Sequence, residues 1–242
     1  MTSALFSVRP ALALVSALSA ESVDLILTDP PYHQITKSRW DNGQTQQQHV
    51  AGLLEVFAAA LPALAVHGAI LVFAGLGKHG AHPVFDLVHG LEALGYTFRN
   101  WLTWQKRRAY GKSHDYLYVR EEILWFSKSA ERTEVRFTIP LTAEKRGYAG
   151  FDAKYPAKSE FKRVGNVFAE PELMRPRRET EKPRGLLTRL IETHSLPRDL
   201  VVDPYCGTGS TGRACIATGR SFVGGDVDPD CQKFWWADGP AQ

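Results

Sequence analysis

Thr28-Asp29-Pro30-Pro31-Tyr32 brings a carboxylate, fixed backbone carbonyls and an aromatic face together in one short stretch. Two prolines in a row neither continue a strand nor enter a helix interior, so the chain turns there. Asp29 and the Pro30 carbonyl can accept hydrogen bonds from an NH2 group, and Tyr32 can stack on a ring. The set suits a planar base with an exocyclic amino group. The plainer alternative is a Pro-Pro turn with a capping Asp, packed by a Tyr, and on these residues alone both stand.

A second stretch, Asp203-Pro204-Tyr205-Cys206-Gly207-Thr208-Gly209-Ser210-Thr211, is glycine-rich and opens a helix, as a cofactor-binding turn does. Each stretch follows an apolar run, Val23 to Leu27 and Leu200 to Val202, that reads as a buried parallel strand. Asp226 stands 23 residues after Asp203, at the end of the next expected strand, with Val227 beside it. An acid there can bind the ribose hydroxyls of a nucleoside cofactor. Gly212 also fits the dinucleotide fingerprint of a dehydrogenase. The Asp29 turn and the short chain, with little room for a hydride-transfer domain, argue against that reading.

Together the two stretches resemble the amino-methylating DNA methyltransferases, and their order, catalytic turn first and cofactor glycines last, is similar to the β group of that family. The resemblance covers nearly the whole chain. It implies an α/β, Rossmann-like, S-adenosylmethionine-dependent methyltransferase fold: a mostly parallel twisted sheet with helices on both faces. It implies catalytic roles for Asp29, Pro30, Pro31 and Tyr32. It implies cofactor contacts from Asp203 to Thr211, from Asp226 and Val227, from Asp29, and from Lys182, whose ammonium can pair with the cofactor carboxylate. The substrate would be adenine N6 in double-stranded DNA. The same chemistry on cytosine N4, and a silent DNA-binding module that keeps the fold, remain as alternatives. RNA or protein-amide methylation is a third. By resemblance alone, a homodimer and a cognate restriction enzyme are further partners. Two departures stand out. Pro10 replaces an Asp common near the first helix, and Arg120-Glu121 replaces a His-Glu pair, so any contact made by that Asp or that His must come from elsewhere or be absent.

With 242 residues, 44% hydrophobic and 23% charged, the chain reads as one large domain or one domain with an insert. Trp101 to Leu190 holds 20 Lys/Arg against 12 Asp/Glu, while the remainder is acidic. A basic block in an acidic chain suggests a polyanion partner; the alternative is a solvated charged surface. The DNA-contact candidates are Lys106, Arg107, Arg108, Lys112, Arg175, Arg177 and Arg178, several of them interleaved with aromatics. Cys206, Cys215 and Cys231 have no metal-ligand spacing, so no metal is expected and a reducing compartment is the default. Arg9 and Ala11 to Ala20 imitate a secretory signal, but a helix supporting the Asp29 strand is the preferred reading, which gives a cytoplasmic protein. No apolar run approaches the ~20 residues of a membrane span.

Residues 1–128 read as the catalytic half, 129–181 as an irregular target-recognition segment, and 182–242 as the cofactor half of the same domain. Residues 33–49, with Gln46-Gln47-Gln48, read as a mobile loop. Helices are expected over Val50 to Leu64, Pro83 to Leu94, Lys182-Pro183 to His194 and Thr211 to Thr218. Lys106, Arg107, Arg108, Lys112 and His114 are expected in a loop between two strands.

Overall fold

The structure is a computed structural model that describes residues 2–33, 44–77, 81–111, 113, 114, 116–145, 161–174, 176, 177 and 181–236. Its elements run β1 (Ala4–Val8), α1 (Ala11–Val15), β2 (Val23–Thr28), α2 (Gln46–Ala60), β3 (Leu64–Ala74), α3 (Pro83–Ala93), β4 (Thr97–Tyr110), β5 (Tyr118–Ser127), β6 (Leu141–Lys145), β7 (Phe161–Arg163), β8 (Val167–Phe168), α4 (Arg184–His194), β9 (Leu200–Asp203), α5 (Ser210–Ala217), β10 (Ser221–Asp226) and α6 (Gln232–Trp235).

The central strands are apolar in unbroken runs because both of their faces are covered. Leu25 and Leu27 of β2 join Leu71 and Phe73 of β3 in one core, under Leu186, Leu190 and Ala214 of α4 and α5. Val23, Ile26, Ile70 and Val72 point the other way, into a core closed by Leu14 of α1, Phe57 of α2 and Leu91 of α3. The expected helices on both faces are therefore present.

The main sheet has the order β1-β10-β9-β2-β3-β5-β4-β8. Strands β1, β10, β9, β2 and β3 are parallel, and β5 is antiparallel to both β3 and β4. From β2 the chain crosses to β3 on one side; from β9 it crosses to β10 on the other. The loops leaving these two neighbours diverge, and a crevice opens at their carboxyl ends. Ile26 lies opposite Val202, so the two motif turns emerge side by side.

Four local features differ from expectation. An edge strand, β1, precedes the first helix and pairs with β10 over Ala4 to Val8; five residues of mixed exposure carry too short a period to announce it. Gln46 to Gln48 form the first turn of α2 instead of a loop. The cause is Thr45, whose hydroxyl accepts from the Gln48 amide at 3.2 Å while the Gln48 side chain accepts from the Thr45 amide at 3.0 Å. That is a capping box, which satisfies two otherwise orphan donors. Of the rest of the expected loop, residues 34–43 lie outside the described residues, and His49 belongs to α2. Lys106, Arg107 and Arg108 continue β4, which runs to Tyr110 against Tyr118. The irregular segment after β5 is, where described, strapped to the body. The Arg136 amide donates to the His67 carbonyl at 3.1 Å and the Thr138 amide to Thr193 at 2.8 Å, and β8 adds an eighth strand beside β4. Arg136 also pairs with Asp24 at 3.0 Å and with Asp199.

Candidate active site at the ends of β2 and β9

The Asp29 turn is held from three sides. Thr28, the last residue of β2, donates its hydroxyl to Asp203 at the end of β9 at 2.8 Å. The Tyr32 ring lies against Gly75 just past β3; a Cβ there would stand 3.0 Å from the ring edge. Pro30 and Pro31 line an apolar recess with Val50 of α2 and Val84 of α3. A turn built from two prolines and packed in this way loses little further freedom when a ligand arrives.

Asp29 sits in a cluster of charges. Its Oδ1 accepts from the Tyr32 hydroxyl at 2.5 Å and its Oδ2 from Lys182 Nζ at 2.5 Å. Lys182 Nζ is also 3.2 Å from Glu121 Oε2, and the Tyr32 hydroxyl is 3.3 Å from the same oxygen. Lys106 pairs with the other oxygen of Glu121. The Lys182 side chain is 5% exposed and lies over the Phe73 ring, 5.0 Å from its centroid. Burial raises the pKa of Asp29, and Lys182 acts against that. Burial also opposes ionisation of Glu121, but Lys182 and Lys106 outweigh it and hold its pKa below the usual carboxylate range. Lys182 keeps its proton: burial disfavours the ammonium, and Asp29 and Glu121 more than compensate. Burial, then Asp29 and Glu121, push Tyr32 well up, so it remains a phenol.

The glycine turn lies beside this cluster. Asp203 Oδ1 accepts from the Tyr205 amide at 3.1 Å as well as from Thr28. Burial lifts its pKa to about 7, against hydrogen bonds from Thr211 and Thr28 and with a smaller push from Asp29. Gly207 and Gly209 both have positive φ, 47° and 75°. Their surroundings differ. A Cβ on Gly207 would meet nothing within 4 Å, whereas one on Gly209 would stand 2.8 Å from Phe6 and 3.0 Å from Trp235. The Gly207 amide donates to Asp226 Oδ2 at 3.0 Å, and its carbonyl accepts from the Trp235 indole at 2.9 Å. Val227 is exposed next to Asp226. An open backbone cradle, a carboxylate at the end of β10 and an apolar side chain beside it fit a nucleoside cofactor. Cys206, Cys215 and Cys231 are buried thiols, and burial pushes the pKa of Cys206 and Cys215 up, away from nucleophilic use.

The structure gathers Asp29, Tyr32, Lys182, Asp203 and the glycine turn at one crevice. It places Lys182 on Asp29 and Glu121. Lys106 turns inward, to Glu121 and over the Trp104 ring at 4.9 Å. The Arg107 amide donates to Glu172 at 2.9 Å, and the Arg177 amide to Glu181 at 2.6 Å. Lys112, Arg175, Arg178 and the side chain of Arg108 lie outside the described residues. Arg120, which stands where a histidine was expected, pairs with the buried Glu122 at 2.9 Å.

Glu121 was missed as a site residue. Its signal was parity: along β5 it shares a face with Ile123, which packs in the α4 core, while Leu124 packs in the opposite one. Arg213 was missed as well. It bonds Glu181 at 2.8 Å and the Thr208 carbonyl at 2.5 Å, tying the glycine turn to the residue before Lys182.

The chain has well-defined relatives. The profile of the DNA methylase family that covers N6 and N4 enzymes matches residues 23–233. The Type II methyltransferase M1.MboII of Moraxella bovis is 26% identical over 230 residues, 87% of this chain and 86% of that protein. The DNA adenine methyltransferase YhdJ of Escherichia coli (strain K12) is 29% identical over 244 residues, 93% of this chain and 78% of that one. Among solved structures, the PvuII cytosine-N4-specific DNA methyltransferase superposes with a TM-score of 0.75 at 16% identity, over 100% of this chain and 89% of that one. The M1.HpyAVI complex with S-adenosylmethionine gives 0.64 at 19%, over 96% and 98%. These two share the fold with the present chain. This chain belongs to the N6/N4 DNA methylase family, a DNA amino-methyltransferase whose cofactor is S-adenosylmethionine.

Proposed function

We propose that the chain methylates the N6 amino group of adenine in duplex DNA by direct displacement on a flipped base. The observation that carries this reading is the pairing of the Asp29 turn with the glycine turn through Thr28 and Asp203. The Asp at position 29 and the 29% identity to an adenine methyltransferase favour adenine over cytosine. The base leaves the stack because its amino group is out of reach inside the duplex. Tyr32 holds the ring face. Asp29 and the Pro30 carbonyl accept the amino hydrogens and aim the nitrogen lone pair, a positioning effect worth several kcal/mol. S-adenosylmethionine, when bound, supplies the electrophilic methyl group. Asp203 to Thr211, Asp226 and Val227 hold it, Asp226 at the ribose hydroxyls. Positive charge that develops on the amino nitrogen is stabilised by the Asp29 carboxylate, and the proton leaves after transfer.

The basic segment 129–181 supplies phosphate and base contacts, and the β4–β5 hairpin adds more. The reading extends to a cytoplasmic enzyme with a homodimeric form and a cognate restriction enzyme. Among the described residues no helix is long and apolar enough to cross a membrane. The test is transfer of label from S-adenosylmethionine to mixed-sequence duplex DNA, followed by nucleoside mass spectrometry. Methylated deoxyadenosine is expected. Methylated deoxycytidine would keep the mechanism and change the base; no label in DNA would overturn the reading.

A further inference from the structure

Both oxygens of Asp29 already have donors. Tyr32 occupies Oδ1 and Lys182 occupies Oδ2, each at 2.5 Å. The amino hydrogens of a base must compete with these two donors. A single oxygen, Oε2 of Glu121, lies within reach of both, 3.3 Å from the Tyr32 hydroxyl and 3.2 Å from Lys182 Nζ. Its partner oxygen is paired with Lys106 on β4, which holds the carboxylate toward the cluster. The side chain of Glu121 is 16% exposed, and water is a poor substitute acceptor at that depth.

We propose that Glu121 is a positioning residue for methyl transfer: it takes over the Tyr32 and Lys182 donors and so frees Asp29 for the amino group of the target base. The proposal rests on the reading of Asp29 as the acceptor of that group. Charge leads to the same conclusion. Asp29 and Glu121 balance Lys182 and Lys106. With Glu121 neutral, the cluster carries one excess positive charge beside an amino nitrogen that itself becomes positive during transfer. Lys182 would then remain on Asp29, whose carboxylate would be spent on the lysine.

The test is Glu121→Gln in the full chain, assayed with labelled S-adenosylmethionine on mixed-sequence duplex DNA, both methylated bases being scored. The expected result is a fall of tenfold or more in kcat with a cofactor Kd within threefold of wild type. The acid limb of the kcat profile moves to lower pH, because loss of the Glu121 charge removes one influence that raises the Asp29 pKa. Glu121→Asp, which keeps the charge, recovers part of the rate. In a Lys182→Gln background the Glu121→Gln change costs less than threefold, since the two residues act as one unit. Wild-type kcat in Glu121→Gln overturns the proposal. So does an equal rate loss in the Lys182→Gln background, or a rate loss in both Glu121 variants that tracks lost cofactor affinity and lost thermal stability. Absence of label with the wild-type chain overturns the reading of Asp29 and the role of Glu121 with it; label in the wild type and undiminished label in the variant overturn only the latter.

Discussion

Thr28 and Asp203 stand 175 residues apart in the chain, and a 2.8 Å hydrogen bond joins their side chains. It crosses from the end of β2 to the end of β9, and so from the Asp29 turn to the glycine turn. Asp203 is 2% exposed. A carboxyl buried there favours its protonated form, hence its pKa of about 7. For an acid whose folded pKa is raised, the native state holds a proton that the unfolded chain releases at about 4. Its contribution is complete below pH 4 and is lost as pH rises to about 7. Asp203→Asn keeps one acceptor and removes the titration. Urea denaturation at pH 5 and pH 8 should show the variant gaining about 2 kcal/mol on wild type between those values. A pH-independent difference between the two proteins would mean that Asp203 is ionised throughout.

His194 acts in the opposite sense. It ends α4, 2% exposed, with its ring 4.7 Å from Trp125 and 5.5 Å from Phe137 by centroids. Burial lowers its pKa to about 3. A base with a lowered folded pKa stays neutral in the native state while the unfolded chain takes up a proton below about 6.5. Stability is therefore present above that value and is lost as pH falls toward 3. Between pH 4 and 6.5 the slopes of His194 and Asp203 oppose each other, so the wild-type profile is flattened. His194→Phe should remove the acid loss, leaving a protein that gains about 2 kcal/mol on wild type when pH falls from 7 to 5. An unchanged pH slope in the variant would show that the ring does not titrate as its burial requires.

The proposed roles of Asp29 and Asp226 separate chemistry from binding. Asp29→Ala should abolish transfer while cofactor affinity, read by calorimetry, stays within a few fold. Asp226→Ala should weaken the cofactor by tenfold or more with little change in thermal midpoint, because its carboxylate accepts from the loop amides of Gly207 and Asp228. Retained turnover in the first variant, or unchanged affinity in the second, would remove the corresponding role.

The two turn glycines should respond differently to a methyl group. Gly209→Ala meets Phe6 and Trp235 at 2.8 and 3.0 Å on a backbone with φ of 75°, so strain and overpacking add to a loss of about 2–4 kcal/mol. Gly207→Ala has the same backbone sign but open space around it, and should cost about 1–2 kcal/mol in stability. Its larger effect should be on cofactor affinity, since the added methyl projects into the cradle. Equal melting shifts in the two variants would contradict this division.

The sequence by itself determined the elements whose physics is local. Val23 to Leu27 and Leu200 to Val202 are apolar without a break, and only burial on both faces accounts for that. The prolines at 30 and 31 forced a turn, Pro183 opened a helix, and the glycines from 207 allowed a backbone cradle between strand and helix. These local facts carried the fold class and the two turns of the site. They did not carry β1, which becomes a strand only because β10 offers it an edge, nor the first turn of α2, where one capping pair outweighs a polar glutamine run. Tertiary structure alone decided which charges meet. Lys182 is 153 residues from Asp29, and Lys106 is 15 residues from Glu121 across a hairpin. Their distances in space follow from the order β9-β2-β3-β5-β4 and from the register of those strands. An ion pair leaves no period in a sequence, because either partner alone looks like any surface charge; it becomes legible when packing has removed the water around both.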